Sequence, residues 1–331
     1  MNLIPKIYKH RWILRAMWDG RCPPPTWGSI DPVTNICNLH CPFCPTGRGT
    51  LQMEKRLLKL DEYRIILSKL PREFKELHLY NWGESLLNPA FPDMVLLAKQ
   101  RGIETYVDSN LSLPLTRDFI ESIVRNGLDE LTVSLDGATQ ESYERYRRGG
   151  DIERVFSNIR EFVDAKKRLN SSKPHITWKF LVNSFNEQEI PLAWKIAEKL
   201  GVTLNRAPMG VPDNLLSEWG ASEAYLKKSN DQISHPRAIC IQLFQAITIN
   251  SDGSLVSCCH VSDKKYAWGN LLRDSLESIW NGDQFRLARK RFIPMIFKPK
   301  GVLNPDPCIG CRRYATLSQV VKRRIRDYWR K

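Results

Sequence analysis

The stretch Cys37-Asn-Leu-His-Cys41-Pro-Phe-Cys44 sets three cysteines in the spacing CxxxCxxC, directly after an extended-looking run at residues 28–34. Three thiolates this close together can hold three corners of a cubane iron–sulfur cluster, whereas a self-contained electron-transfer cluster takes four. One iron is then left open to a substrate or cofactor. A zinc site with His40 as fourth donor is the alternative, but His40 and Cys41 are chain neighbours whose side chains could hardly face one ion.

The cysteine spacing at the end of a first β-strand resembles the radical S-adenosylmethionine (radical SAM) superfamily. The resemblance implies that Cys37, Cys41 and Cys44 hold a 4Fe-4S cluster whose open iron chelates the amino and carboxylate groups of the SAM methionine. It further implies that an electron from the cluster cleaves SAM to a 5′-deoxyadenosyl radical, and that an external donor such as flavodoxin or ferredoxin supplies the electron. The protein then positions and shields chemistry that belongs to the cofactor.

Strand and helix patterns alternate along the first two thirds of the chain. The predicted strands are residues 28–34, 76–80, 103–108, 130–135, 175–182 and 202–205, and a helical pattern follows each of the first five. This alternation predicts parallel βαβ units and an α/β fold, a (β/α)6 partial TIM barrel. In such folds the functional residues gather in the loops at the carboxyl ends of the strands.

The loop Trp82-Gly83-Glu84-Ser85 follows the second predicted strand. Glycine allows the backbone to approach a ligand closely, and a carboxylate can pair with an ammonium group. The loop resembles the Gly-Gly-Glu-Pro motif of the superfamily, which implies that Gly83 and Glu84 hold the SAM amino group. Trp82 and Ser85 replace the first glycine and the proline of that motif, and a β-turn without a ligand is the alternative.

The segment Ser134-Leu-Asp136-Gly137 follows the fourth predicted strand. A hydroxyl and a carboxylate two residues apart point to the same side of a strand, which suits contact with a ribose or with the methionine carboxylate network. The segment resembles a signature common in radical SAM enzymes with additional clusters, so Ser134 and Asp136 are SAM-binding candidates. Asp136 could instead cap the next helix. Ser109 and Asn110, after the third strand, are further candidates for the ribose or the substrate.

The carboxyl-terminal third contains a second set of cysteines. Residues 246–257 form an alternating strand, an Asp-Gly turn and a second strand, which predicts a β-hairpin with Cys240 and Cys258 at its feet. Cys308 and Cys311, in a CxxC pair, complete four ligands. A zinc ribbon is the alternative, because a hairpin plus CxxC also binds zinc.

The hairpin segment resembles the SPASM extension of radical SAM enzymes, or its shorter twitch form. Twelve residues separate Cys240 from Gly253 and four separate Gly253 from Cys258, as in that family. A full SPASM domain has more cysteines than are present here. The resemblance therefore implies one auxiliary 4Fe-4S cluster on Cys240, Cys258, Cys308 and Cys311, in a small domain of a β-hairpin plus a helix.

Cys259 is left outside both clusters, and strand alternation puts it on the opposite face from Cys258. A thiol near a carbon radical can donate a hydrogen atom, as radical epimerases do, so Cys259 is the candidate catalytic residue. A small buried residue or an alternative ligand to Cys258 remains the other interpretation.

The composition describes a globular chain of 331 residues with 42% hydrophobic residues, and no apolar run reaches the ~20 residues needed to cross a bilayer. Nine cysteines, an odd number without a secretory signal, argue against a disulfide framework and for a cytoplasmic location. Of the net charge of +14, five basic residues lie in the first 21 positions and eight in the last 20. These ends are expected to be amphipathic helices that contact an anionic membrane or partner, or that dock on the body of the protein.

The expected organisation is a basic segment (1–28), the barrel (29–208), a linker or lid (209–237), the auxiliary cluster domain (238–313) and a basic helix (314–331). The predicted function is a radical SAM oxidoreductase or epimerase acting on a small polar metabolite of the sugar, nucleoside or aminocyclitol type. Peptide maturation is the alternative, although the 36 residues before Cys37 are fewer than a leader-binding domain takes in peptide-modifying relatives. A nucleic-acid-binding protein with structural clusters would instead show salt-sensitive binding and no SAM cleavage.

Overall fold

The computed structural model describes residues 16, 18–229, 240 and 242–290. Cys308, Cys311, the expected helix at 314–331, residues 230–237 of the expected lid and nearly all of the first 17 residues lie outside this part of the chain. The strands are β1 (Trp27–Ile30), β2 (Val33–Thr34), β3 (Arg56–Leu57), β4 (Glu76–His78), β5 (Glu104–Ser109), β6 (Glu130–Ser134), β7 (His175–Val182), β8 (Thr203–Pro208), β9 (Ala246–Ile249), β10 (Ser254–Val256) and β11 (Gly269–Asn270).

Helices separate most of these strands. They are α1 (Leu60–Ser68), α2 (Phe91–Gln100), α3 (Arg117–Arg125), α4 (Gln140–Tyr146), α5 (Ile152–Arg168), α6 (Ile190–Leu200), α7 (Leu216–Trp219), α8 (Glu223–Ser229), α9 (Gln242–Gln245), α10 (Leu276–Trp280) and α11 (Asp283–Lys290). Short 3₁₀ turns lie at Ser85–Leu87, Glu187–Glu189, Asp213–Leu215 and Lys264–Tyr266.

The described chain divides into two compact units, and the first comprises the described parts of residues 30–64 and 76–233. Its sheet has the order β4-β5-β6-β7-β8, and every neighbouring pair is parallel. Each crossover carries a helix, as parallel pairing requires. The predicted α/β fold, a partial TIM barrel with a separate carboxyl-terminal domain, is confirmed.

One face of this sheet is apolar and fully covered. Leu77, Val107, Leu131 and Trp178, from four neighbouring strands, are at most 1% exposed. Helices lie against this face, and the ring of Phe156 on α5 packs edge-on against Trp178 at 5.9 Å. Because side chains alternate along a strand, the residues between these positions point to the opposite face.

Side-chain caps fix where the barrel helices begin. Thr116, Thr139 and Asp151 each accept a hydrogen bond from a backbone N–H in the first turn of α3, α4 and α5. At the other end of α6, Gly201 takes a left-handed conformation with φ of 70°. These boundaries hold the loops at the carboxyl ends of the strands in place.

The second unit comprises the described parts of residues 1–29, 65–75 and 234–331. Its strands lie in the order β11-β10-β9-β1, and both β9–β10 and β10–β11 are antiparallel. The predicted hairpin is present, with Ile249 opposite Leu255 and a turn that needs Gly253 at φ of 78°. In its core Arg289, fully buried, donates to the carbonyls of Leu243 and Gly20.

The prediction of one continuous strand at residues 28–34 was wrong, because the structure has two strands, β1 and β2, separated by Asp31 and Pro32. Proline has no N–H to donate to a strand neighbour. The Pro32 carbonyl instead accepts hydrogen bonds from the Leu58 N–H at 3.0 Å and the Asn88 side chain at 2.9 Å. Within the described residues, no helix is long and apolar enough to cross a membrane.

Candidate active site

The three cysteines of the first set lie on one tight loop after β2. Cys41 is buried, and Cys37 and Cys44 are half-buried. The Cys44 N–H donates to the Cys41 carbonyl at 3.2 Å and closes the turn. Gly47 packs so closely on this turn that a Cβ there would lie 2.6 Å from the Cys41 nitrogen. Burial, followed by the charges of Glu84, Cys41 and Cys44, raises the pKa of Cys37 to about 12. The Cys41 and Cys44 thiols therefore lie close enough to Cys37 for their charges to raise its pKa.

This donor set fits an iron–sulfur cluster better than a single ion. Within the described residues, no three His, Cys, Asp or Glu side chains converge as they would on one metal ion. Thiolates are soft ligands that suit iron–sulfur clusters, and a cubane holds its ligand sulfurs apart at separate irons. The residues present therefore fit a cluster held by Cys37, Cys41 and Cys44.

Neighbouring groups donate hydrogen bonds to two of these sulfurs. Cys37 Sγ accepts from the Leu39 N–H at 3.4 Å and from Asn110 Nδ2 at 3.8 Å. Cys41 Sγ faces Nη1 of Arg147 at 3.9 Å. Hydrogen bonds to ligating sulfurs are one of the ways in which a protein adjusts an iron–sulfur cluster.

The loop at residues 81–85 is tied to the cysteine loop through its backbone. The Trp82 carbonyl accepts hydrogen bonds from the Asn35 N–H, at 3.1 Å, and from the Thr46 hydroxyl. The Glu84 N–H donates to the Ile36 carbonyl at 2.9 Å. A Cβ on Gly83 would lie 1.9 Å from the carbonyl oxygen of Val33, so no other residue fits there without moving the backbone. The sequence predicted that the Gly83 backbone approaches a ligand, and this stays a prediction; the close approach that the structure shows is to the Val33 backbone.

The sequence-predicted candidates Glu84, Ser109 and Asn110 come together at the ends of two neighbouring strands. Glu84 is 3% exposed, and its carboxylate accepts from the Ser109 hydroxyl at 2.8 Å and the Asn110 N–H at 2.9 Å. Burial raises the pKa of Glu84, and these hydrogen bonds oppose the shift. The Asn110 side chain also donates to Asn38 Oδ1 at 3.0 Å, so the cluster loop and the carboxylate share one network.

Ser134 and Asp136 lie at the end of β6 in different surroundings. Ser134 is 8% exposed, and none of the described residues forms a hydrogen bond with its hydroxyl. Asp136 is fully buried and accepts from Nε of Arg147 and from the Leu181 N–H, both at 2.7 Å. The alternative that Asp136 caps the next helix was wrong, because Thr139 is the cap of α4.

Sequence reasoning missed Asp31 and Arg147 as parts of the site. Asp31 is fully buried, and its Oδ2 accepts from the Trp82 N–H at 3.1 Å and the Thr34 hydroxyl at 3.0 Å. Burial raises the pKa of Asp31 to about 7. Asp31 is the single charged residue in the extended run at residues 28–34, which was the signal for it, and the Tyr143–Arg147 stretch after Ser-Leu-Asp-Gly was the signal for Arg147.

The uncovered face of the parallel sheet is polar. Lys179 and Asp108 form an ion pair there, with side chains 32% and 23% exposed. Lys179 is the register partner of Ser134, and Asp108 lies two residues before Asn110, so the pair adjoins the candidate cofactor residues. Further along this face the His78 and Tyr106 rings stack at 5.2 Å.

Carboxylates surround that aromatic pair. Burial and then a hydrogen bond to Glu104 raise the pKa of Tyr106 to about 12, and the charges of Glu76 and Glu130 add to the shift. Glu76 also contacts Nε2 of His78 at 2.6 Å. Glu76, Glu104 and Glu130 are the first residues of β4, β5 and β6, so these three carboxylates lie at the amino-terminal ends of the strands, whereas Asp108 and Lys179 lie nearer the carboxyl ends.

An aromatic cluster covers the cysteine loop. Phe43, between Cys41 and Cys44, packs on Tyr146 at 5.6 Å and on Trp219 at 5.1 Å. Trp219 is 6% exposed and also contacts Phe185 at 4.9 Å. Trp219 belongs to the segment expected to act as a linker or lid, so this segment is anchored on the cysteine loop.

In the second unit, Cys240 is buried and Cys258 and Cys259 are half-buried. The prediction that strand alternation separates Cys258 from Cys259 was wrong, because β10 ends at Val256 and both cysteines lie in the turn that follows, where the Val261 N–H donates to the Cys258 carbonyl at 3.2 Å. Gln242 Nε2 lies 3.6 Å from Cys259 Sγ. Because Cys308 and Cys311 lie outside the described residues, the ligand set expected for the auxiliary cluster stays a prediction.

A family model of the radical SAM superfamily matches residues 32–174, and a model of SPASM, an iron–sulfur cluster-binding domain, matches residues 240–312. GTP 3′,8-cyclase of Clostridium botulinum (strain Okra / Type B1) is 21% identical over 207 residues, 61% of this chain and 63% of the cyclase. AdoMet-dependent heme synthase of Methanosarcina barkeri (strain Fusaro / DSM 804) is 26% identical over 172 residues, 51% of this chain and 46% of the synthase. The chain thus spans less than two thirds of these curated relatives.

Solved structures share the fold. Streptococcus suis SuiB bound to S-adenosylmethionine gives a TM-score of 0.65 at 11% identity, over 95% of this chain and 78% of SuiB. SuiB bound to precursor peptide SuiA gives a TM-score of 0.64 at 12% identity, over 97% of this chain and 78% of SuiB.

Proposed function

Because this chain belongs to the radical SAM superfamily and carries an SPASM domain, we propose that it cleaves SAM reductively and then oxidises or epimerises a small polar metabolite. Its cofactors are SAM, the 4Fe-4S cluster that binds SAM, and auxiliary iron–sulfur chemistry in the SPASM domain. When bound, SAM and its cluster supply a 5′-deoxyadenosyl radical that abstracts hydrogen from carbon.

The residues of the first unit divide the work of holding these groups. Cys37, Cys41 and Cys44 would ligate the cluster. Glu84, held by Ser109 and Asn110, would present a carboxylate to the SAM ammonium group, and the open hydroxyl of Ser134 would donate to SAM oxygens. The close contact of Gly83 with Val33 fixes the loop on which Glu84 lies.

The groups on the polar face of the sheet indicate which class of substrate would bind there. Lys179 and Asp108 adjoin the candidate SAM residues and offer both a donor and an acceptor to hydroxyl groups. The pair has no excess positive charge to offer a phosphate, and Asp108 can accept from an amine, so it favours an amine-bearing polyol, such as an amino sugar or aminocyclitol, over a phosphorylated substrate. An apolar face would instead have favoured a lipid or an apolar side chain.

Epimerisation and oxidation differ in what the chain must supply. Epimerisation needs a hydrogen-atom donor on the face opposite the abstraction, and Cys259 is the candidate. Oxidation needs no such donor, because the substrate radical would lose a proton to solvent and one electron to the auxiliary cluster, which would be reduced. Deuterium incorporated from solvent into the product by native enzyme but not by Cys259→Ala would establish the donor.

The first experiment measures iron, sulfide and 5′-deoxyadenosine after anaerobic reconstitution of the native chain and of a variant with Cys37, Cys41 and Cys44 changed to alanine. We expect about eight irons per chain in native protein and about four in the variant, with SAM cleavage lost in the variant. Native protein that does not cleave SAM would contradict the proposal. If native protein binds about four irons and the variant binds none, the auxiliary cluster is withdrawn from the proposal.

The substrate class is tested by the increase in 5′-deoxyadenosine when candidate compounds are added. We expect amino sugars and aminocyclitols to increase it, and sugar phosphates and nucleoside triphosphates to have no effect. An increase with the phosphorylated compounds but not with the amines would contradict the substrate class inferred from the polar face.

Peptide maturation is a second candidate, favoured by the likeness to SuiB, whose structure was solved with a precursor peptide.

The basic ends would suit an acidic peptide or an anionic membrane that presents the substrate. Flotation of the full chain and of a chain without residues 1–20 and 314–331 with anionic liposomes tests the membrane role, and loss of flotation on truncation is expected.

We further propose that residues 29–208 form the SAM-binding domain, residues 209–237 its lid and residues 238–313 the auxiliary cluster domain. The anchoring of Trp219 on Phe43 supports the lid. An external flavodoxin or ferredoxin would supply the electron, and reconstituted activity with either protein in place of dithionite tests this.

A further inference from the structure

Arg147 directs a largely buried positive charge at one of the three loop cysteines. It follows α4 directly and turns back toward the cysteine loop, with a side chain that is 14% exposed. Its Nη1 lies 3.9 Å from Cys41 Sγ. We propose that the Asp136–Arg147 pair sets the reduction potential of the loop cluster, with Arg147 raising the potential through Cys41 and Asp136 moderating that effect. This inference rests on the proposed cluster at Cys37, Cys41 and Cys44.

Asp136 fixes the direction of the guanidinium group. Nε and Nη2 of Arg147 both contact Oδ2 of Asp136 at 2.7 Å, which leaves Nη1 facing the sulfur. The other oxygen of Asp136 accepts from the Leu181 N–H at 2.7 Å, so the carboxylate is anchored to β7. A guanidinium group presents its donors in a rigid plane, and fixing one edge fixes the other.

Burial strengthens the interaction between Arg147 and Cys41. Asp136 is fully buried and Cys41 is 5% exposed, so water screens the charges little. The donors to Cys37 are the neutral Leu39 N–H and the Asn110 amide, whereas Cys41 faces a cation. The cluster is thus polarised through one of its three sulfurs.

The sign of the effect follows from charge. Reduction adds one electron to the cluster, so a nearby cation stabilises the reduced form and raises the potential. Asp136 carries the opposite charge on the far side of the guanidinium group from Cys41 and weakens that stabilisation. Removing Arg147 and removing the Asp136 charge should therefore shift the potential in opposite directions, which a purely structural role of the pair would not do.

The experiment is a potentiometric titration followed by electron paramagnetic resonance, on anaerobically reconstituted full-length protein without SAM. The loop cluster is identified as the signal that changes when SAM is added afterwards, and the auxiliary signal is the internal control. We expect a more negative potential in Arg147→Met, a more positive one in Asp136→Asn, and a value between native and Arg147→Met in Arg147→Lys.

Arg148→Met is the matched control, because it removes the same charge from the neighbouring, exposed position. We expect its potential to equal that of native protein. Equal shifts in Arg147→Met and Arg148→Met would overturn the inference, because they would reflect net charge alone. Shifts of the same sign in Arg147→Met and Asp136→Asn would also overturn it.

Each single variant leaves a buried charge without its partner, which can prevent folding. The double variant Asp136→Asn with Arg147→Met leaves none, and we expect its potential below the native value. A native potential in the double variant, or loss of the cluster from it, would overturn the inference. A native chain with no SAM-responsive signal would overturn the proposed function itself, whereas an unaltered SAM-responsive signal in Arg147→Met would overturn only this inference.

Discussion

The backbone N–H of Trp82 donates a hydrogen bond to Oδ2 of the fully buried Asp31, at 3.1 Å. Trp82 begins the loop that presents Glu84, so a carboxylate between β1 and β2 holds the candidate SAM loop. The other oxygen, Oδ1, is buried and has no hydrogen-bond partner within the described part of the chain. Ionisation of Asp31 is therefore costly, and its pKa is raised to about 7.

Replacing Asp31 with asparagine should change how stability depends on pH. The folded pKa of about 7 lies above the ordinary aspartate pKa of 3.8, so between these values folded protein binds a proton that unfolded protein does not. Native stability should then fall as pH rises from about 4 to about 7 and level off above, by up to roughly 4 kcal/mol. Asp31→Asn lacks this titration.

Anaerobic urea unfolding at several pH values checks this prediction. The quantity of interest is the difference in unfolding free energy between native protein and Asp31→Asn, because other titrating groups cancel in it. A difference that does not vary with pH would show that Asp31 keeps the same charge in both states.

Gly83→Ala should disable the SAM loop. The added methyl group would lie 1.9 Å from the Val33 carbonyl oxygen, which is backbone and cannot rotate away. The loop must shift, and displacement of a positioning group by about 1 Å can lower a rate about 100-fold. We expect 5′-deoxyadenosine formation to fall by about that factor while the iron content stays near native.

Gly210→Ala is the control for this change, because nothing lies within 4 Å of the added Cβ and its backbone is not left-handed. Equal rates in Gly83→Ala and native protein would show that the loop does not position SAM. Loss of iron from Gly83→Ala would assign the contact to cluster assembly instead.

Much of the fold follows from local sequence pattern, and the interior of the site does not. Alternating apolar residues and helix caps such as Thr116 and Thr139 are local signals, and the parallel order of β4 to β8 follows from them. Strand ends also marked Glu84, Ser109 and Ser134. By contrast, Arg147 meets Cys41 across 106 positions of sequence, and Asp31 meets Trp82 across 51. Periodicity shows which face a residue occupies but not which distant partner it meets.

Trp219→Ala should expose the loop cluster to oxygen. Trp219 covers Phe43 and contacts Phe185, and removing a buried tryptophan side chain costs roughly 3–5 kcal/mol. In this variant we expect lower stability and faster bleaching in air of the cluster's visible absorption, with near-native behaviour in Trp219→Phe. Trp194→Ala, at an exposed position on α6, is the control and should bleach at the native rate. Equal rates in all variants would show that the aromatic cluster does not shield the cysteine loop.

Cys258 and Cys259 should differ in their effect on iron content. The predicted hairpin puts Cys258 at its foot as a cluster ligand, whereas Cys259 lies near the Gln242 amide at 3.6 Å. In the variant that lacks Cys37, Cys41 and Cys44, only the auxiliary site remains to bind iron. There we expect Cys258→Ala to lower iron from about four per chain to nearly none, and Cys259→Ala to leave it unchanged.

Cys22→Ala provides the baseline for that comparison, because Cys22 is a buried cysteine outside both proposed ligand sets. If Cys259→Ala loses the iron and Cys258→Ala keeps it, Cys259 is the ligand, and the proposed hydrogen donor is withdrawn with it. If both variants keep their iron, neither cysteine is essential to the site. Only retention in Cys259→Ala together with loss in Cys258→Ala leaves Cys259 free to act on a substrate radical, and the deuterium experiment then decides whether it does.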